Sequence, residues 1–237
     1  MIGTDAESGK SVGFILSVFD FPGEAIWGAN APGEAVKHDR HLEKVTRHAS
    51  GFVFVFDPST VGRIRTLPRE RRDRFIEATL GAQASRNQTL LNQMPKDILR
   101  SFRGKFGNPV AKFRAPIAMV LSKSDAIRDQ FDDLGLDLAN FGAHFLEENP
   151  DHIRQNRADI DAAEMRKCSE AIKAFLGEPD LDSECEAIAE NYLWFAVSAT
   201  GIAPSDGTLQ GRHGVPVRVL DPIEWILSES ARKQGEA

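Results

Sequence analysis

Four polar clusters each close a short apolar run of this sequence: Asp20-Phe21-Pro22-Gly23, Asp57-Pro58-Ser59-Thr60, Ser122-Lys123-Ser124-Asp125 and Ser198-Ala199-Thr200-Gly201. Together they supply carboxylates, an ammonium group, hydroxyls and glycines. Such groups accept and donate hydrogen bonds and let a backbone approach a ligand closely. In open α/β sheets, ligands bind just beyond the carboxyl ends of the strands. If the apolar runs are strands, the four clusters converge on one shared site.

The runs read as strands. Val12–Asp20 (VGFILSVFD), Gly51–Asp57 (GFVFVFD), Ala115–Ser122 (APIAMVLS) and Leu193–Ser198 (LWFAVS) are rich in β-branched and aromatic residues. Each is nearly continuous rather than alternating, as in strands covered on both faces of a mostly parallel sheet. Helical sequence separates them at Glu34–Ala49, Pro68–Phe102 and Ala158–Leu176, and a last helix at Pro222–Ser230 carries Ile223, Ile226 and Leu227. Strands alternating with helices predict an α/β fold, a doubly wound and mostly parallel sheet with flanking helices.

At 237 residues and 26.1 kDa, the chain is long enough for one large α/β domain. Its net charge of -6 argues against a dedicated nucleic-acid binder. No apolar run approaches the ~20 residues that span a bilayer, and residues 1–20 carry no signal pattern; a cytoplasmic protein is the expectation. Cys168 and Cys185, with no C-x-x-C pair, read as free thiols.

Taken in order, the clusters resemble the motifs of P-loop GTPases. Asp20-Phe21-Pro22-Gly23 is similar to the D-x-x-G of the second switch. The resemblance implies that Asp20 reaches Mg2+ through water and that the Gly23 amide meets the γ-phosphate of GTP. Ser122-Lys123-Ser124-Asp125 resembles the N/T-K-x-D guanine-reading motif, with Asp125 accepting from the base and the Lys123 stem lying along it. Ser198-Ala199 resembles the S-A motif, whose backbone amide meets the guanine carbonyl. Within the superfamily the closest resemblance is to the bacterial double-GTPase group, through D-x-P-G-E and the closing Val219-Leu220-Asp221-Pro222-Ile223-Glu224-Trp225. Glu24 stands where related enzymes place a water-orienting residue, which makes it a candidate catalytic base beside the alternative of a solvated carboxylate.

The phosphate-binding loop departs from that pattern. Gly9-Lys10-Ser11 supplies the tail of G-x-x-x-x-G-K-[ST], but Thr4 stands where the first glycine belongs, and no helix fits before Asp20. Ser8-Gly9-Lys10 reads instead as a turn joining an incoming strand to Val12–Asp20. The expectation is a single GTPase-like domain over 1–237, N-terminally incomplete, with its first strand and phosphate loop missing and a helical insertion around 63–114. Two charge-assisted bonds to Asp125 contribute roughly 3–6 kcal/mol, against a cost on the order of 4–15 kcal/mol for immobilising a ligand. Mg2+ and GTP are thus expected in a complete form, with no tight binding to this chain alone.

Two alternatives share these residues. One is a pseudo-GTPase acting as a protein-interaction module, with a protein partner meeting the 63–114 insertion. The other is an RNA-contacting module using Arg63, Arg65, Arg69, Arg71, Arg72 and Arg74, which Glu70 and Asp73 dilute into an ordinary solvated face. His38, His41 and His48 fall near one helix face without an evident fourth ligand, so a polar face is preferred to a metal site.

Overall fold

A computed structural model describes residues 2–4, 11–13, 48–80, 95–106, 112–129, 162–201 and 216–235. Near the start, β1 (Ile2–Thr4) pairs antiparallel with β2 (Ser11–Gly13) in a two-stranded sheet of its own. The central sheet is parallel, in the order β3 (Phe52–Phe56), β4 (Ile117–Leu121), β5 (Tyr192–Ala196). The register pairs Phe52 with Ile117 and Ile117 with Tyr192. β4 is buried at every residue, which explains its unbroken IAMVL: as the middle strand it has helices over both faces.

One face carries Phe52, Phe54, Phe56, Ile117, Met119, Leu121, Trp194 and Ala196. A 3-10 turn (Pro58–Thr60) and six helices follow the strands on that side of the chain's course: α1 (Gly62–Arg65), α2 (Arg69–Leu80), α3 (Pro95–Phe106), α4 (Ser124–Asp129), α5 (Ala162–Leu176) and α6 (Pro179–Ile188). They send Ile64, Phe75, Leu99, Phe102, Ile127, Ile172, Phe175 and Leu181 into the same cluster. Phe102 meets Phe54 edge-to-face, with centroids 5.0 Å apart, a geometry that aromatic rings favour. α5 ends at Gly177, whose φ of 61° is the left-handed cap that glycine adopts without strain.

The opposite face carries Ala118, Val120, Leu193 and Phe195 beneath α7 (Asp221–Gly235), through Trp225 and Ile226. Ile226 lies so close to Gly51 that a side chain there would collide with it.

Several expectations need correcting. The Val12–Asp20 run is not a strand of the parallel sheet where it is described: Ser11–Gly13 pairs antiparallel with β1, and residues 14–20 lie outside the described residues. The reversal expected around Ser8-Gly9-Lys10 matches that pairing. The continuous apolar run of β3 predicts cover on both faces, yet its burial alternates. Val53 and Val55 are 40% and 63% exposed, because α7 covers the β4 and β5 part of that face. The continuous helix expected over Pro68–Phe102 is described as α2 and α3, with 81–94 outside the described residues, and α4 and α6 were not anticipated. The Glu34–Ala49 helix lies outside the described residues apart from His48 and Ala49, of which His48 is helical and exposed. Of the doubly wound fold, what stands is an α/β architecture: a small, open, three-stranded parallel sheet with flanking helices.

Candidate functional site

The parallel sheet brings three of the four polar clusters together at its carboxyl edge. Asp57 follows β3, Ser122-Lys123-Ser124-Asp125 follows β4, and Ser198-Ala199-Thr200-Gly201 follows β5. Asp20, Gly23 and Glu24 lie outside the described residues, and so does the Mg2+ role expected of Asp20. Among the described residues no group of three or more His, Cys, Asp or Glu side chains could hold a metal ion.

The β3 and β4 ends are tied by charge. Lys123 Nζ donates to Asp57 Oδ2 at 2.8 Å, while Asp57 Oδ1 accepts from the Ser59 amide at 2.9 Å and the Ser59 hydroxyl at 2.6 Å, capping the 3-10 turn. Ser122 Oγ donates to the Phe56 carbonyl at 2.9 Å. Lys123 has φ 53°, a left-handed conformation unusual for a residue with a side chain. It turns the chain abruptly from β4 into α4.

The β4 and β5 ends are tied in turn. The Ser124 amide donates to the Val197 carbonyl at 3.0 Å, and the Thr200 hydroxyl reaches Asp125 Oδ2 at 3.5 Å. Ser198 Oγ accepts from the Gly201 amide at 2.7 Å and the Thr200 amide at 3.3 Å, folding the segment after β5 into a tight turn. Arg128 of α4 closes that turn through the Gly201 carbonyl at 2.8 Å. Ser124, Asp125 and Ser198 are buried, whereas Ala199 is exposed. Asp57, to which the motif resemblance assigns no role, anchors the β3 end.

A second polar group stands behind the β5 end. Val217 exchanges two backbone bonds with Ser198, and the next residue, Arg218, lies buried at φ 54°. Its guanidinium donates to Asp221 Oδ2 at 2.7 Å and to Cys168 Sγ at 2.9 Å. Burial pushes the Cys168 thiol above its ordinary range, and the Arg218 charge opposes that shift. The sequence marks Cys168 as a free thiol and Asp221 as part of the closing segment but does not join them, since the members lie on α5, on the turn before α7 and at the first residue of α7.

No helix among the described residues is long and apolar enough to cross a membrane. No protein-family model matches the chain, and no solved structure does. The chain is similar to the putative ESX-1 scaffolding and assembly protein SaeC of Mycolicibacterium smegmatis (strain ATCC 700084 / mc(2)155), at 25% identity over 187 residues. That match covers 76% of this chain and 44% of the relative, so the chain spans less than half of that protein's length. These findings correct the resemblance to P-loop GTPases and to the double-GTPase group. No family model supports it, the relative found carries a scaffolding description, and the guanine-nucleotide partner and nucleotide-binding role drawn from the resemblance lose their support with it. The strand-end motifs were short enough to arise wherever a parallel strand must end in a polar turn.

Proposed function

We propose that this chain is a protein-interaction domain with a scaffolding or assembly role, rather than a catalyst. The observation that carries the reading is the way the strand-end groups are spent. Lys123 is bonded to Asp57 and Ser198 Oγ to two backbone amides, while buried Asp125 has the Thr200 hydroxyl 3.5 Å from its carboxylate. A catalytic or ligand-reading cluster needs donors and acceptors aimed at the position a substrate will occupy. Here the same groups point at each other and brace the ends of three strands. The likeness to a putative scaffolding and assembly protein supports the same reading from an independent direction, and an assembly role of that kind asks for a rigid body with recognisable surfaces.

In-cell crosslinking of the tagged chain, followed by mass spectrometry, tests the proposal, beside a binding and turnover screen of the purified chain against nucleotides and metal ions. A reproducible set of protein crosslinks is the expected result. A chain that crosslinks to no protein yet binds a nucleotide near 1 μM, about -8 kcal/mol, sinks it.

A further inference from the structure

The turn that leads into α7 is held in an unfavoured backbone shape by a few polar bonds. Val217 exchanges two backbone bonds with Ser198, at 3.0 and 2.8 Å, and Arg218 follows at φ 54°. The buried guanidinium bridges Asp221 Oδ2 at 2.7 Å and Cys168 Sγ at 2.9 Å. Cys168 is itself buried on α5, so this one side chain ties the start of α7 to α5. Val219 and Leu220, between Arg218 and Asp221, are exposed and give the turn little apolar hold.

The closed turn carries two penalties. A left-handed backbone disfavours any residue with a Cβ, and a buried ion pair gives up hydration that offsets much of its attraction. Both vanish when the turn lifts, because the backbone relaxes and water solvates the guanidinium and the carboxylate. Burial of Pro222 and Trp225 works the other way and keeps the closed form dominant. Farther along α7, Glu229 accepts from Asn191 at 2.8 Å and Ser230 donates to the Ser50 carbonyl at 3.0 Å, which anchors the second half of the helix. Residues held in sparsely populated conformations persist only where their surroundings fix them, and they recur at switch regions.

We propose that Arg218 is the latch of a local opening. When its guanidinium leaves Asp221 and Cys168, the leading end of α7 lifts from the sheet, pivoting on its second half, while the larger layer stays folded. The lift takes Trp225 off Phe195 and removes the guanidinium that covers the Cys168 sulfur. Cys185, buried on α6 in the larger layer, stays covered. This opening is a property of the fold, whatever the domain binds.

The two buried thiols make the opening measurable. The full chain is alkylated with iodoacetamide, and labelling is read at each cysteine by peptide mass spectrometry and divided by its rate in the urea-unfolded chain. Cys168 is expected to label faster than Cys185 by at least about tenfold, as a local opening costs less than global unfolding. Cys168 labelling should be nearly independent of urea below the transition, whereas Cys185 labelling climbs with urea because global unfolding exposes far more surface. Arg218→Gln breaks the latch and should speed Cys168 labelling by at least about tenfold, the usual scale for losing one partner of a buried pair. Leu99→Ala, in the larger layer, should speed Cys185 by at least about tenfold and leave Cys168 unchanged, since that layer stays folded in the open form. Equal rates at the two thiols with the same urea dependence overturn the proposal. So does a Cys168 rate that Arg218→Gln leaves unchanged, or one that Leu99→Ala raises as much as it raises Cys185. Where a variant does not fold, the urea dependence of the wild-type rates decides alone.

Discussion

Lys123 and Arg218 share a left-handed backbone, at φ 53° and 54°, but their side chains have different surroundings. For an L-residue that conformation costs roughly 1–2 kcal/mol, so glycine relieves strain at both positions. Lys123 is 40% exposed at its side chain, and its bond to Asp57 is partly screened; such pairs are worth about 0–1 kcal/mol. Lys123→Gly is therefore expected to stay within about 1 kcal/mol of wild type in urea denaturation. Arg218 and Asp221 are each 8% exposed at the side chain. Arg218→Gly strands a buried carboxylate, for which about 3–5 kcal/mol is the usual loss. Equal effects at the two positions would show that backbone strain, not the buried pair, governs both turns. The cysteines give a separate pH prediction. Burial raises both thiols, Cys185 most, with Asp182 adding to the effect. A group whose folded pKa is raised favours folding at low pH. The unfolded thiol ionises near 8.5, the folded one higher. Stability is therefore full below about pH 8.5 and falls above it, for Cys185 by up to about 1.4 kcal/mol per pH unit, with Cys168 shifted in the same direction. Cys185→Ala should flatten that alkaline slope by about one proton, whatever it does to stability at pH 7; an unchanged slope between pH 8.5 and 10 counts against the burial account.

Among the elements, β3 is where an apolar run and its environment part company. Phe52, Phe54 and Phe56 face the aromatic cluster around Phe102, Phe113 and Trp194, while Val53 and Val55 look outward. Phe56→Ala should cost about 3–5 kcal/mol, and Val55→Thr less than about 0.5 kcal/mol. Comparable losses at the two sites would mean that something covers Val55 in solution. The existence and parallel pairing of β3, β4 and β5 were legible because β-branched and aromatic runs bounded by polar turns leave few alternatives. What hid the open face of β3 is that valine suits either side of a strand, so GFVFVFD carries no mark of which side lies bare. α6 was missed because PDLDSECEAI is charged, and its apolar stripe is only Leu181, Cys185 and Ile188. The strand-end cluster was legible as a place, since parallel strands gather their carboxyl ends. Its chemistry was not: short polar motifs give residue types, and only the fold turns Lys123 onto Asp57.

For the whole molecule, the sheet divides the described core into two unequal layers. The larger joins β3, β4 and β5 to α1 through α6, while the smaller joins β4 and β5 to α7, with Met165 of α5 buried in it as well. α7 is pinned by Trp225 against Phe195, whose ring centroids lie 5.7 Å apart. Asn191 donating to Glu229 at 2.8 Å and Ser230 donating to the Ser50 carbonyl at 3.0 Å hold its second half. A layer resting mainly on one helix opens at a lower cost than the layer packed by six, since local openings follow such cooperative units. The expected order of hydrogen exchange is α7 first, with α5 and β4 last and at the global limit. Trp225→Ala removes the largest anchor, and a loss of about 3–5 kcal/mol is usual for such a truncation. Its signature should be selective: amides of α7 exchange faster by a larger factor than those of α5. Equal acceleration across both helices would mean that the two layers unfold as one unit, and that α7 belongs to the global core despite its thin contact.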